Sequence, residues 1–419
     1  MNLLSFSNTR SGRAFSLSLM IFTVFSLTYY LRGVSVMGIQ MPIILLCYIL
    51  LLSSCDRQAQ KRVMSISIIL IVFDFLFVYL QDVDRLESVE NAIGFNYFIF
   101  VSFFPVLYAA SGNFWKIDRG KFLTFLYLVV GLTASTTILG SFVYESPCRE
   151  LATPDNVDLD RLYKAHNIGG YGFIYFIVLF APFIIRDIFK EFSVLKLALL
   201  FLCGFCVLRS EYTTALLLFL VGITIVLLLY LKSKIIRLLL FAVIVVAVVS
   251  MQDILNWAGT SLSDTSIIMS KRFDMMMDYN VYGEADDDLG MRFFLYMQSL
   301  NTFIHRPLFG NLLSSTKGIL GGHSEILDFL GNSGLFGLAC LISLISFLRR
   351  KTPISRINTK DPFIKASLIL ALILAFINTF LCPELYYAIL IVPLLVDSSG
   401  STNWYTNKKR TQQTKEYAI

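Results

Sequence analysis

Three histidines, His166, His305 and His323, are all the chain contains. His323 lies near the start of Gly321–Gly337, GGHSEILDFLGNSGLFG. This stretch begins polar, sets apolar residues at helical spacing, breaks at Gly331-Asn332-Ser333-Gly334 and then runs into an apolar segment. A neutral imidazole at such a boundary can accept a proton at neutral pH. Glu325 and Asp328 are near enough in sequence to orient the ring or to stabilise its charged form. The same position also suits a histidine that merely starts a helix at an interface. Upstream, Gly290-Met291-Arg292 opens MRFFLYMQSLNTFIHRP. Arg292, Ser299, Thr302 and Arg306 fall near one helical face, and Phe293, Met297, Leu300 and Ile304 near another, until Pro307 ends the run. Such a helix can lie in a membrane interface with Arg292 over an anionic headgroup, or pack on a bundle with its polar residues solvated.

Arginine suits a pyrophosphate because its planar fork donates two parallel hydrogen bonds and stays charged at any working pH. Arg272, in Lys271-Arg272, and Arg209, wedged between two apolar runs, are the other candidates. A cation so close to an apolar core is costly unless paired or in a wet cavity. Snorkelling to the interface beside Glu211 would account for Arg209 equally well. His305 and His166 read as structural, with a substrate contact as the other reading of His305. Glu284, Asp286, Asp287 and Asp288 form an acidic run that could hold a divalent cation, but without EF-hand spacing it reads as a solvated loop. There is no P-loop, HExxH or GxSxG.

The elements that must position these residues are membrane-grade. Of 419 residues, 56% are hydrophobic and 15% charged, whereas soluble domains carry about a quarter charged. Apolar runs fall at about 14–31, 36–53, 63–80, 93–111, 122–143, 168–185, 195–208, 212–231, 235–251, 324–348, 363–381 and 384–396. They do not alternate as barrel strands would. The sequence therefore predicts an all-α polytopic protein of about twelve transmembrane helices. Basic residues cluster before the first span, after the second, fourth, sixth, eighth and tenth, and in the tail; acidic or mixed links follow the odd spans. The positive-inside rule then puts both termini in the cytoplasm, and all three histidines and both long loops outside. The chain reads as one domain, 1–419, with a periplasmic cap loop at 252–322 between spans nine and ten. The first run lacks a small-residue cleavage site and reads as a retained span. The net charge of +6 comes from loop arginines and lysines, not a nucleic-acid patch. Of seven cysteines, Cys148 and Cys382 alone are placed for the outer side, where one disulfide is possible.

HSEILDFLGNSGLFGL resembles the late motif of the O-antigen polymerase and ligase superfamily, in which a histidine opens a short helix that ends in a glycine pair and enters a span. GMRFFLYMQSLNTFIHRPLFGNL resembles the preceding motif, an arginine-opened helix closed by a Pro-Leu-Phe-Gly turn. NIGGYGFIYFIVLFAPFII is similar to the mid-chain span of the polymerase branch. The resemblance implies an inner-membrane glycosyltransferase acting at the periplasmic face on a glycan carried by undecaprenyl pyrophosphate. It implies His323 as the base and Arg292 as a pyrophosphate contact. It implies Arg209 more weakly, because family members show Ser-Arg where this chain has Arg209-Ser210. Arg272, His305 and Glu325 stand as substrate contacts. No cofactor or metal is implied, since arginines would stabilise the leaving group. The implied partners are the lipid-linked glycan, membrane lipids and a chain-length regulator protein. A polymerase is the first reading, a ligase transferring glycan to lipid A-core the second, and a transporter or flippase of lipid-linked sugars the third. The transporter predicts polar residues deep in several spans, where only Asp74 stands out.

Overall fold

The computed structural model describes residues 9–33, 39–81, 89–152, 157–231, 288–313 and 323–396, with Ser7, Leu320 and scattered positions between 233 and 261. Among the described residues every regular element is helical. In chain order these are α1 (Arg10–Leu27), α2 (Met41–Ser54), α3 (Arg57–Gln81), α4 (Val89–Ser111), α5 (Arg119–Val143), the single turn α6 (Pro147–Glu150) and α7 (Val157–Ala165). There follow α8 (Tyr171–Lys190), α9 (Val194–Arg209), α10 (Thr213–Tyr230), α11 (Asp288–His305), α12 (Glu325–Lys351), α13 (Pro362–Ile377) and α14 (Pro383–Val396). Each apolar run read from the sequence coincides with one of these helices, except the ninth, 235–251, which lies almost wholly outside the described residues. Arg272, the run Glu284–Asp287 and most of the 252–322 loop lie outside them as well.

Four helices, α5, α8, α10 and α12, are long and apolar enough to cross a membrane. Others are apolar but shorter: α2 has 14 residues and α13 has 16. At 1.5 Å per residue these rise ~21–24 Å, less than a hydrocarbon core of about 30 Å. The chain is thus a helical membrane protein; the full count of twelve crossings goes beyond what helix length alone carries.

The centre of the bundle is α8. Every residue from Gly172 to Arg186 is buried, as expected of a helix that is apolar on all faces. It packs against α9, α10, α13 and α14. Between helices in lipid the hydrophobic effect contributes little, so packing and interhelical hydrogen bonds must hold the bundle. Ser18 donates to the Cys47 carbonyl at 2.7 Å and also bonds the Tyr108 hydroxyl at 2.7 Å. Thr23 and Tyr387 share a 2.7 Å bond, and Ser367 donates to the Leu179 carbonyl at 2.9 Å.

The links between helices sort to two ends. After α4, Asn113 and Lys116 donate to the Ser54 carbonyl that closes α2. Arg186, near the end of α8, meets Asp361 before α13 at 3.5 Å and the Val396 carbonyl of α14 at 3.1 Å. At the opposite end, Asn167 accepts from the Tyr29 amide at 2.8 Å and Arg32 pairs with Glu384 at 2.7 Å. Tyr212 donates to the Cys148 carbonyl there at 2.8 Å. The second group comprises links that follow odd-numbered runs.

Candidate active site

The frame of the site is a broken helix and the turn that fills the break. Gly334 interrupts α12 with φ +59° and ψ −157°, the bend expected from the glycine-rich stretch. The break frees amide groups that an unbroken helix would use itself. Leu335 and Phe336 donate theirs to the carbonyls of Pro307 and Leu308, at 2.8 and 2.9 Å. In return Asn311 donates to the Gly331 carbonyl at 3.1 Å. The contact is backbone against backbone and leaves no room for a Cβ. One at Gly334 would lie 2.6 Å from the Leu308 carbonyl, and one at Gly310, also at positive φ, 2.3 Å from the Gly331 oxygen.

A second clasp lies about two turns earlier. Ser324 caps α12 by accepting from the Leu327 amide at 3.2 Å, and Asp328 accepts from the Ser324 amide at 3.2 Å. The other oxygen of Asp328 accepts from the buried Ser299 hydroxyl of α11 at 2.6 Å. The two clasps advance in step along both helices, so α11 and the first half of α12 run side by side in the same direction. Arg292, two turns before Ser299, therefore comes level with His323, just ahead of α12. Asp328 serves as the fastener in this arrangement.

Arg292, His323 and Glu325 line one cavity of about 720 Å³. Its other charged walls are Arg32 after α1, Arg149 of α6, Lys164 of α7, Glu211 after α9 and Glu384 of α14. Tyr29, Tyr97, Tyr171, Tyr175 and Tyr212 supply aromatic wall. Four cations face three carboxylates in this lining. Several of these groups are already fixed. Lys164 pairs with Asp160 at 2.7 Å, and Glu211 accepts from Ser146 at 2.5 Å. Glu325 accepts from the Phe380 amide at 3.0 Å while its own amide donates to the Asn378 carbonyl at 3.2 Å. That places its carboxylate on the link before α14, which it holds to the start of α12. Burial pushes the Tyr296 phenol up, against the pull of the neighbouring Arg292.

The remaining sequence candidates lie elsewhere. Arg209 ends α9 and turns to α5, donating to the Ser141 carbonyl at 2.6 Å and to its hydroxyl at 3.2 Å, with the Phe142 ring 4.6 Å away. His305 is exposed and bonds the Asn301 carbonyl at 2.8 Å. His166 packs against Tyr144 at 5.8 Å. Cys148 and Cys382 are free, buried thiols and form no disulfide; burial pushes Cys148 up to about 12. Sequence reasoning passed over Arg32, Arg149, Lys164 and Glu384. The available signal was a charge in a link after an odd-numbered apolar run, and Glu384 is the sole acid at the mouth of an otherwise apolar run.

The helix α11 exposes apolar side chains alongside the polar Asn301 and His305. Ser299 is buried, while Phe293, Phe294, Met297 and Ile304 are exposed, and Leu308 and Phe309 extend the exposed apolar surface into the turn. A helix that buries a serine and exposes phenylalanines suits an apolar or interfacial surrounding.

Comparison with curated proteins and with solved structures returns no match. A family model described as O-antigen ligase matches residues 198–342, a segment that begins in α9 and includes Arg209, Arg292, His323 and the Gly334 break. That match, over about a third of the chain, supports a place in the O-antigen polymerase/ligase superfamily, whose members are membrane glycosyltransferase-like enzymes.

Proposed function

We propose that the chain polymerises undecaprenyl-pyrophosphate-linked oligosaccharide repeat units into O-antigen or a related surface polysaccharide. The reaction takes place at the periplasmic face of the bacterial inner membrane. The observation that carries this reading is the convergence of Arg292 and His323, from two clasped helices, on one cavity. Five of its charged residues, Arg32, Arg149, Lys164, Glu211 and Arg292, lie in links that follow odd-numbered apolar runs, those the charge pattern assigns to the outside. Twelve crossings with both termini cytoplasmic, and a cap formed by 252–322, complete the proposed topology.

In the proposed reaction a hydroxyl of the acceptor sugar attacks the anomeric carbon of the donor. The new C–O bond forms as the bond to the pyrophosphate oxygen breaks, and that oxygen leaves with the electron pair. The hydroxyl proton passes to the His323 imidazole. Arg292 and the neighbouring cations meet the charge growing on the pyrophosphate, which is where preorganised charge lowers a barrier most. A single displacement inverts the anomeric centre. Holding both lipid-linked substrates in one cavity turns a bimolecular encounter into a positioned one.

The ligase is the second reading, favoured by the description of the matching family. The abundance of Phe (37) and Tyr (20) leans toward the polymerase. The test is a deletion strain examined for its surface glycan. Core capped by a single repeat identifies the polymerase. Bare core with lipid-linked polymer accumulating identifies the ligase. An unchanged glycan contradicts both.

A further inference from the structure

Among the described residues, two that line the cavity carry a buried side-chain oxygen with no hydrogen-bond partner, Tyr97 through its hydroxyl and Glu384 through Oε2, and only the second is a carboxylate. Glu384 is 1% exposed. Its Oε1 is served twice, by the Arg32 guanidinium at 2.7 Å and the Tyr29 hydroxyl at 3.2 Å. Its Oε2 is buried with no hydrogen-bond partner among the described residues. A buried carboxylate oxygen left bare is costly, and native proteins leave few of them. The surroundings hold the carboxylate where it is. Arg32 is itself clamped by the carbonyls of Phe25 and Ser26, at 3.3 and 2.8 Å. Gly172 of α8 lets the carboxylate lie flat on the helix backbone: a Cβ there would sit 2.5 Å from Glu384 Cδ and 2.6 Å from each oxygen.

The guest that completes Oε2 must donate a hydrogen bond. A cation is disfavoured, because Arg32 is in contact and Arg149 and Lys164 line the same cavity. A neutral O–H or N–H fits. Beside it stand three tyrosines in mutual contact, Tyr171, Tyr175 and Tyr212, with ring centroids 4.6 to 6.0 Å apart. The hydroxyls of Tyr171 and Tyr212 are held by backbone carbonyls, so the rings are fixed. Fixed aromatic faces next to a hydrogen-bond acceptor match the two surfaces of a sugar, apolar C–H face and polar hydroxyl edge.

We propose that Glu384, set by Arg32 and Gly172, is a sugar-binding residue whose free oxygen accepts a hydroxyl or amide N–H of the glycan, and that Tyr171 and Tyr212, backed by the buried Tyr175, form the platform beside it. The proposal rests on the reading of the chain as a glycosyltransferase. It adds a subsite for a neutral part of the substrate to the cationic one around Arg292.

The test uses the full chain in nanodiscs and, as probe, the oligosaccharide released by mild acid from the host strain's lipid-linked repeat unit. The probe lacks pyrophosphate and so reports on the sugar subsite. Saturation-transfer NMR and titration measure its binding, and the lipid-linked repeat unit measures turnover. Glu384→Gln, which keeps a carbonyl for Arg32, weakens probe binding roughly tenfold or more and raises the apparent KM by the same factor, with kcat little changed. Gly172→Ala, which keeps every charge but displaces the carboxylate, does the same and decides the matter if Glu384→Gln does not fold. Wild-type probe affinity in the folded variants overturns the proposal, meaning that water alone serves Oε2. A wild-type chain that makes polymer alongside such variants leaves the glycosyltransferase reading standing. A wild-type chain that neither makes polymer nor binds the probe overturns the glycosyltransferase reading together with the proposal.

Discussion

Gly334→Ala probes the frame without touching a charge. The residue sits at φ +59° and ψ −157°, a region open in practice only to glycine, and a side chain held there costs ~1–3 kcal/mol. Its Cβ would also meet the Leu308 carbonyl at 2.6 Å and the Phe309 nitrogen at 2.7 Å, both of them backbone with nowhere to yield. Relief requires the 307–310 turn to lift away, breaking the bonds from Leu335 to Pro307 and from Phe336 to Leu308. Two such bonds, if their partners stay dry, add ~1–3 kcal/mol each. The total, on the order of 3–9 kcal/mol, far exceeds the effect of an alanine placed with room to spare. Gly120→Ala is that control, since its nearest neighbour would be Asp118 Oδ1 at 3.6 Å. Hydrogen exchange on the purified protein should show the amides of 309–312, 335 and 336 losing about a hundredfold or more of protection in Gly334→Ala, with far-UV dichroism unchanged. Turnover should fall by roughly 10²-fold, because the clasp that keeps Arg292 level with His323 is loosened. Wild-type protection and turnover in Gly334→Ala would refute the claim that the turn and the break form one unit.

Arg292→Lys should lose most activity, since a single ammonium cannot replace a two-pronged contact; full turnover in the lysine variant would remove bidentate pyrophosphate binding from the account. Polymer formation should survive EDTA, because guanidinium and ammonium groups carry the leaving-group charge; loss on chelation restored by Mg²⁺ or Mn²⁺ would return the 284–288 acidic run to consideration as a metal site. Cys148 is buried, and burial pushes its thiol up, so little of it is thiolate at pH 8. Mass spectrometry after maleimide treatment should find it unmodified in the native protein and modified in SDS. Stoichiometric native labelling would contradict its packing.

The helices were legible because apolar runs with charged ends leave little choice in a membrane, and the break at Gly331–Gly334 because glycine pairs interrupt a helix. His323 and Arg292 were legible as residue types suited to proton transfer and pyrophosphate contact. Their convergence was not, since it depends on backbone bonds from Leu335 and Phe336 to a turn whose chemistry is only Pro-Leu-Phe-Gly. The direction in which a residue faces was also hidden. Arg209 reads as a charge at the edge of an apolar core; that it turns to Ser141 follows from where α5 packs. On α11 the polar stripe reads as solvated or interfacial, whereas Ser299 is buried against Asp328 and the aromatics face outward. Glu384 and Arg32 pair across a separation of 352 residues, and no local pattern announces a bond of that range.

The central claim, glycosyl transfer between lipid-linked repeat units with His323 taking the proton, is tested most directly by reconstitution. The purified chain in proteoliposomes receives undecaprenyl-pyrophosphate-linked repeat units as its sole glycan, and products are resolved by gel and mass spectrometry. The account predicts a ladder of lengthened lipid-linked glycan with release of undecaprenyl pyrophosphate, and no ladder from His323→Ala inserted to the same level. A ladder from His323→Ala, or transfer by the wild type only once lipid A-core is added, would contradict it.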